Sequence, residues 1–121
     1  WKGLTYQDPV QAAQKQADAL RKEGCDIVIC LSHLGYEYTT DQVSDKVLAA
    51  STSGIDVIIG GHTHTFLDEI QELKNNKGKA VFVNQVGYGG LKLGRIDIEM
   101  LPDTGKMTIA SSNQYLHADI V

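Results

Sequence analysis

The sequence predicts an α/β fold in which a βαβ-type first half is followed by antiparallel strands. Two continuous apolar runs, in "DIVICLS" and "IDVIIGG", are separated by a segment with helical periodicity, the grammar of strands in a parallel sheet. After Thr65 the pattern changes to shorter alternating pieces divided by "KNNKG", "GYGG" and "PDTG", which is turn chemistry between strands.

Taken in order, "DPVQAAQKQADALRKEG" is a helix with punctuation at both ends. Asp8 is the N-cap, Pro9 the first helical residue, Gln11 the far corner of a capping box and Gly24 the stop, each at the position its backbone preference suits. Val10, Ala13, Ala17 and Leu20 form its narrow apolar face. Residues 27–31 then read as a strand covered on both faces. The second helix is expected within "TDQVSDKVLAASTSG", with Thr40 as cap, Val43, Val47 and Ala50 on one face and Gly54 beyond its end;. "IDVIIGG" is the second buried strand. The pieces "FLDEIQEL", "KAVFVNQV", "LKLGRIDIEML" and "KMTIASSNQ" are expected to form an antiparallel meander. No linker, low-complexity run or repeat interrupts them, so residues 1–121 form one unit, an α/β part over 1–65 and mainly antiparallel strands over 66–121.

Bulk composition narrows the function classes. With 42% hydrophobic and 21% charged residues, the chain has the balance of an ordinary globular unit. A net charge of −4 gives no electrostatic hold on nucleic acid phosphates or an anionic membrane. No apolar run approaches the roughly 20 residues of a membrane span. Cys25 and Cys30 bracket one strand-like run; five residues of strand separate them by about 16 Å, beyond disulfide reach, so they read as free thiols in the core. They leave the cellular compartment open. A first residue of Trp1 rather than Met points to a chain processed or cut from a longer one.

Three of the four histidines follow the two apolar runs. His33 lies just past the first strand; His62 and His64 lie in the loop after the second. Ligands of open α/β sheets bind outside the carboxyl ends of the parallel strands, so if the strands are neighbours these imidazoles converge on one edge. Neutral imidazole suits zinc, iron, manganese or nickel, and His-x-His can aim both rings at one metal or one ring at each of two. Gly60 and Gly61 free the backbone to turn there. Glu37, Asp41 and Asp68 are close enough in sequence to act as oxygen ligands or to support the histidines. Asp26 and Asp56 precede their strands and belong to the opposite end. Tyr36, Tyr38 and Tyr88 are candidates for a pocket wall or for packing, "VGYGG" is a turn rather than a phosphate cradle, and His117 lies solvated in the tail.

"GLTYQDPVQAAQKQADALRKEGCDIVICLSHLGY", then "GIDVIIGGHTHTFL", then "VFVNQVGYGGLKLGRIDIEM" resembles the later half of the metallophosphatase domain of the 5′-nucleotidase family, within the calcineurin-like phosphoesterases. The resemblance covers nearly the whole chain. It implies part of a four-layer α/β/β/α sandwich around two divalent cations, zinc, manganese or iron, with an activated water attacking phosphorus in line. His33 of "SHLG" and His62 of "GGHTH" would bind one metal, and His64 falls where the family places a His, Gln or Asn ligand of the other. The resemblance also implies a nucleotide or other phosphate monoester as substrate and a periplasmic, cell-envelope or extracellular location.

The family's earlier motifs, an Asp-x-His, a Gly-Asp with the bridging carboxylate and a Gly-Asn-His-Asp/Glu with the catalytic His, have no counterpart in this sequence. No catalytic residue is therefore assigned here, and no substrate-binding residue. Two adjacent cations need a bridging anion, which three imidazoles do not supply. The expectation is a fragment, inactive alone, that binds one metal ion or none. Two alternatives stand beside it. One is a noncatalytic metal-binding or interaction module, prone to dimerise through an exposed sheet surface; the other is a small enzyme with a mononuclear three-histidine zinc site.

Overall fold

Asp8 stops the extended chain and starts helix α1 (Pro9–Lys22), its side chain accepting the Gln11 N–H at 2.9 Å. Such a cap contributes about 1 kcal/mol. The helix ends as the glycine predicts: Glu23 and Cys25 donate back to Ala19 O and Leu20 O, and Gly24 takes the left-handed conformation at φ 89°;. The computed structural model describes residues 2–117. Ala17 is buried and Val10 and Ala13 are partly buried, whereas Leu20 at the end of the stripe is exposed.

Strand β1 (Ile29–Leu31) leads into a loop that holds Tyr36 in the core, and helix α2 (Asp45–Ser51) begins only at Ser44, whose Oγ accepts the Val47 N–H. The later start rotates the expected face. Leu48 and Ala49 are buried, together with Asp45, while Val47 is exposed. Thr40, the expected cap, lies outside the helix, its hydroxyl facing only the Gln42 N–H at 3.5 Å.

Strand β2 (Val57–Ile59) pairs in parallel with β1, Ile29 opposite Val57 and Leu31 opposite Ile59. The next hairpin, β3 (Gln71–Lys74) and β4 (Ala80–Asn84), turns at Asn75, whose side-chain oxygen accepts from the Lys77 and Lys79 N–H groups. This hairpin joins the sheet instead of starting a meander. β4 inserts beside β2 in parallel, and β3 closes the edge antiparallel to β4, giving the order β1-β2-β4-β3. Antiparallel pairing holds for β3–β4 and for a separate ribbon of β5 (Lys92–Met100) and β6 (Met107–Tyr115). The segment 66–70 makes only one bridge, Phe66 to Val86.

Two helices thus flank a central mixed sheet, the α/β arrangement the sequence predicts. Alternation along the strands separates its two faces. Cys30, Ile58 and Val83 share one row and join Ala17, Val28, Leu48 and Ala49 in the core. On the other face, Asn84 forms reciprocal amide bonds of 2.9 and 2.7 Å with Asn113 of β6, tying the ribbon to the sheet above β4. Cover thins from there towards β1. Val57 is 1% exposed, Ile59 42% and Leu31 81%. The first strand is therefore half-buried on the face of Cys30 and bare on the other, contrary to the two-sided burial its apolar run suggests.

Candidate metal centre

Because β1 and β2 are parallel neighbours, the loops after them leave the sheet side by side. Ser32 N–H donates to Ile59 O at 2.9 Å, so the residues entering the two loops are in contact. His33 and His62 follow, both exposed, with ring centroids 5.1 Å apart and planes at 66°. His64 is also exposed and lies beside Tyr88, centroid to centroid 5.0 Å. The structure brings His33 and His62 together and sets His64 against the "VGYGG" turn. Among the described residues no group of three His, Cys, Asp or Glu side chains is arranged to hold a metal ion.

The chain makes its sharp turns at the histidines themselves. His62 and His64 adopt φ of 71° and 53°, while Gly60 and Gly61 keep negative φ. A left-handed non-glycine residue costs on the order of 1–3 kcal/mol, and such strain clusters at functional sites. Gln85, 2% exposed, holds the strained loop. Its Nε2 donates to Gly61 O at 3.0 Å, and its Oε1 accepts from Thr65 N–H and the Thr63 hydroxyl. Thr63 Oγ1 in turn accepts the Tyr36 N–H at 3.0 Å, tying this loop to the one that carries His33.

The glycines are there for close approach. A Cβ on Gly60 would lie 2.1 Å from Asp45 Oδ2 and 3.1 Å from Gln85 Nε2; one on Gly61 would lie 3.2 Å from His33 Nδ1. Asp45 is the buried group beneath both loops, 0% exposed. Its Oδ1 accepts from the Ser32 hydroxyl and its Oδ2 has no partner. Burial pushes its carboxyl pKa above the ordinary value, against a smaller opposing pull from Ser32;. Cys30 is likewise pushed up, first by burial and then by the Asp45 charge, which keeps the thiol protonated and unreactive;. Both cysteines are free.

The other candidates lie elsewhere. Glu37 pairs with Lys46, Asp41 is exposed without a described partner, and Asp68 accepts from the buried Lys92 ammonium at 3.1 Å. Asp56 and Asp26 are at the opposite end of the sheet, where Arg21 bonds the Asp56 carboxylate and the Asp26 carbonyl. Tyr36 is core, the Tyr38 hydroxyl donates to Leu34 O at 2.6 Å, and His117 is exposed. Sequence reasoning missed Asp45 and Gln85. The Asn-Gln pair that interrupts the apolar run "VFVNQV" was a signal for Gln85; Asp45 resembles any acid in a helix's first turn.

The rings of the pair meet edge to face, at a separation within the 4.5–7 Å range of such contacts and also near that of two ligands of one ion. Two imidazoles bound to one metal at about 2.0–2.1 Å and at a tetrahedral angle have ring centroids about 5.2 Å apart, and His33 and His62 stand at 5.1 Å. The family pattern described as calcineurin-like phosphoesterase matches residues 1–66, which include all three histidines. The chain belongs to the calcineurin-like phosphoesterase family. Within this family it is related to the metal-dependent 5′-nucleotidases. It is 31% identical to a rat 5′-nucleotidase over 93% of the chain and 21% of that protein, and 35% identical to the trifunctional nucleotide phosphoesterase YfkN of Bacillus subtilis over 80% of the chain and 6% of that protein. Among solved structures, a 5′-nucleotidase precursor from Thermus thermophilus superimposes with a TM-score of 0.80 at 28% identity, over 93% of this calcineurin-like chain and 23% of that one. The chain thus spans less than a quarter of the length of these relatives. No helix among the described residues is long and apolar enough to cross a membrane.

Proposed function

We propose that this chain contributes His33, His62 and His64 to a two-metal phosphomonoesterase centre of the 5′-nucleotidase kind, with His33 and His62 on one divalent cation and His64 on the second. The observation that carries the reading is the His33–His62 pair, 5.1 Å apart at the carboxyl ends of adjacent parallel strands;. Imidazole suits zinc, manganese and iron alike. When bound, the cations would supply Lewis-acid stabilisation of the phosphoryl oxygens and activation of water. The chain's own part is to hold and aim the rings: Gln85 and Thr63 fix the His62 loop, and Tyr88 flanks His64.

A cation pair also requires a bridging anion. Three neutral imidazoles supply none, so the chain by itself is expected to bind one metal ion or none and to show no turnover. Nucleotides or related phosphate monoesters are the substrate class, supported by the names of the relatives, and a periplasmic, cell-envelope or extracellular location accompanies that reading. The bare row of Ile29, Leu31 and Ile59 is the seat for the remainder of a four-layer sandwich; left bare, it favours pairing of two copies.

The test is hydrolysis of nucleoside monophosphates by the full-length product of the gene, with added manganese or zinc. His33→Ala and His62→Ala should each lower kcat/KM by more than about 100-fold, beyond what loss of a supporting residue costs. Full activity in both would sink the proposal. The exposed apolar row of Ile29, Leu31 and Ile59 favours, as the second reading, a noncatalytic metal-binding or interaction module that meets a partner through this face. That module would stay inactive when the segment bearing the bridging carboxylate is supplied in trans, whereas a phosphatase would gain activity.

A further inference from the structure

We infer that Asp45 is a positioning residue that sets the spacing of His33 and His62, acting through Ser32 on one side and Gly60 on the other; this rests on reading those histidines as a metal-binding pair. Asp45 takes no part in the proposed chemistry and is fully buried, yet one carboxylate oxygen has no hydrogen-bond partner. A buried carboxyl with one oxygen unpartnered costs stability, so packing alone does not account for an acid here. What it holds does.

Its Oδ1 accepts from the Ser32 hydroxyl, and that same hydroxyl oxygen accepts the Leu34 N–H at 3.2 Å, so the residues on both sides of His33 hang from one carboxylate. The Asp45 backbone N–H donates to Gly35 O at 2.7 Å and Lys46 N–H to Tyr36 O at 3.2 Å, fixing the rest of the turn to the start of α2. Meanwhile Oδ2 rests on Gly60, where a Cβ would come within 2.1 Å. Gly60 is two residues from His62, and Ser32 already touches β2 through its bond to Ile59 O. The carboxylate is therefore a spacer between the two loops. Removing it lets both histidine-bearing turns relax independently.

The test uses the full-length gene product, metal-free, titrated with Co²⁺ and followed by visible absorption, with thermal unfolding measured on the same samples. Asp45→Asn keeps an acceptor for Ser32 and the same shape, and should bind Co²⁺ within about threefold of wild type, well inside the effect of losing a supporting contact. Asp45→Ala and Ser32→Ala should each weaken binding by roughly 10–100-fold and alter the absorption bands. Because the two share the bond between the Ser32 hydroxyl and Asp45 Oδ1, the loss in the double variant should fall short of the product of the two single losses. Wild-type binding in both single variants, or losses that multiply in the double, would overturn the inference. If Asp45→Ala does not fold, Ser32→Ala decides: weaker binding at an unchanged Tm supports the spacer role and unchanged binding overturns it. A wild-type protein that binds no Co²⁺ overturns the metal-pair reading itself, and this inference with it.

Discussion

Replacing Gly60 by Ala adds one methyl group where the structure has no room. The new Cβ would stand 2.1 Å from Asp45 Oδ2, 3.1 Å from Asp45 Cγ and 3.1 Å from Gln85 Nε2. Contact between carbon and oxygen begins near 3.2 Å, so the overlap with Oδ2 is about 1 Å, and overpacking of that kind costs typically 1–3 kcal/mol. Asp45 has no free direction of retreat: it is fully buried, and turning it away gives up the Ser32 bond, worth about 1.5–3 kcal/mol to a charged acceptor. The expected total is about 2.5–6 kcal/mol of stability, read from urea unfolding midpoints. Asp45→Ala removes the obstructing atoms, so Gly60→Ala in that background should cost less than about 1 kcal/mol, a coupling well above the 0.5 kcal/mol seen for independent sites. A cost below 0.5 kcal/mol for Gly60→Ala, or additivity with Asp45→Ala, would refute the contact.

Burial raises the folded-state pKa of Asp45 above its unfolded value, so the stabilising contribution is complete at pH below the unfolded pKa and is lost as pH rises through the folded one. Asp45→Asn removes this dependence; its stability relative to wild type should rise between about pH 4 and neutrality, measured by urea unfolding at several pH values, and a constant difference would contradict the shift. Gln85→Leu leaves Gly61 O and Thr65 N–H without their partner, while the Thr63 hydroxyl keeps Thr65 Oγ1; it should cost about 2–4 kcal/mol at about 1–3 kcal/mol for each of these two half-buried groups, part of it recovered by water. Amide exchange at Thr65 should accelerate in that variant; an unchanged rate would mean that Gln85 does not hold the loop. Leu48→Ala, at a site 1% exposed, should destabilise by about 2–5 kcal/mol in thermal or urea unfolding.

Local chemistry carried much of this structure into the sequence. Asp8, Pro9 and Gly24 mark α1 because capping depends on neighbours a few residues away;. The two apolar runs give β1 and β2, and a general rule about strand ends places His33 and His62 together;. What stayed hidden depends on long-range partners. The alternation of "KAVFVNQV" is the same whether its strand joins a hairpin ladder or inserts beside β2. The start of α2 falls four residues later than expected because Thr40 and Ser44 are both good caps and it is Ser44 that takes the cap geometry, its Oγ accepting the Val47 N–H. One-sided cover of β1 follows from where the β5–β6 ribbon lies, tied by Asn84 and Asn113 above β4. Asp45 was invisible for a related reason: its role lies in what it touches at Ser32 and Gly60, neither of which is near it in sequence.

The most direct test of the account is anomalous diffraction from crystals of the full-length gene product soaked in manganese or zinc. The account predicts a metal peak within about 2.0–2.2 Å of a ring nitrogen on both His33 and His62, with a second peak at His64. A metal bound elsewhere, with the His33 and His62 rings left without a shared ion, would contradict it.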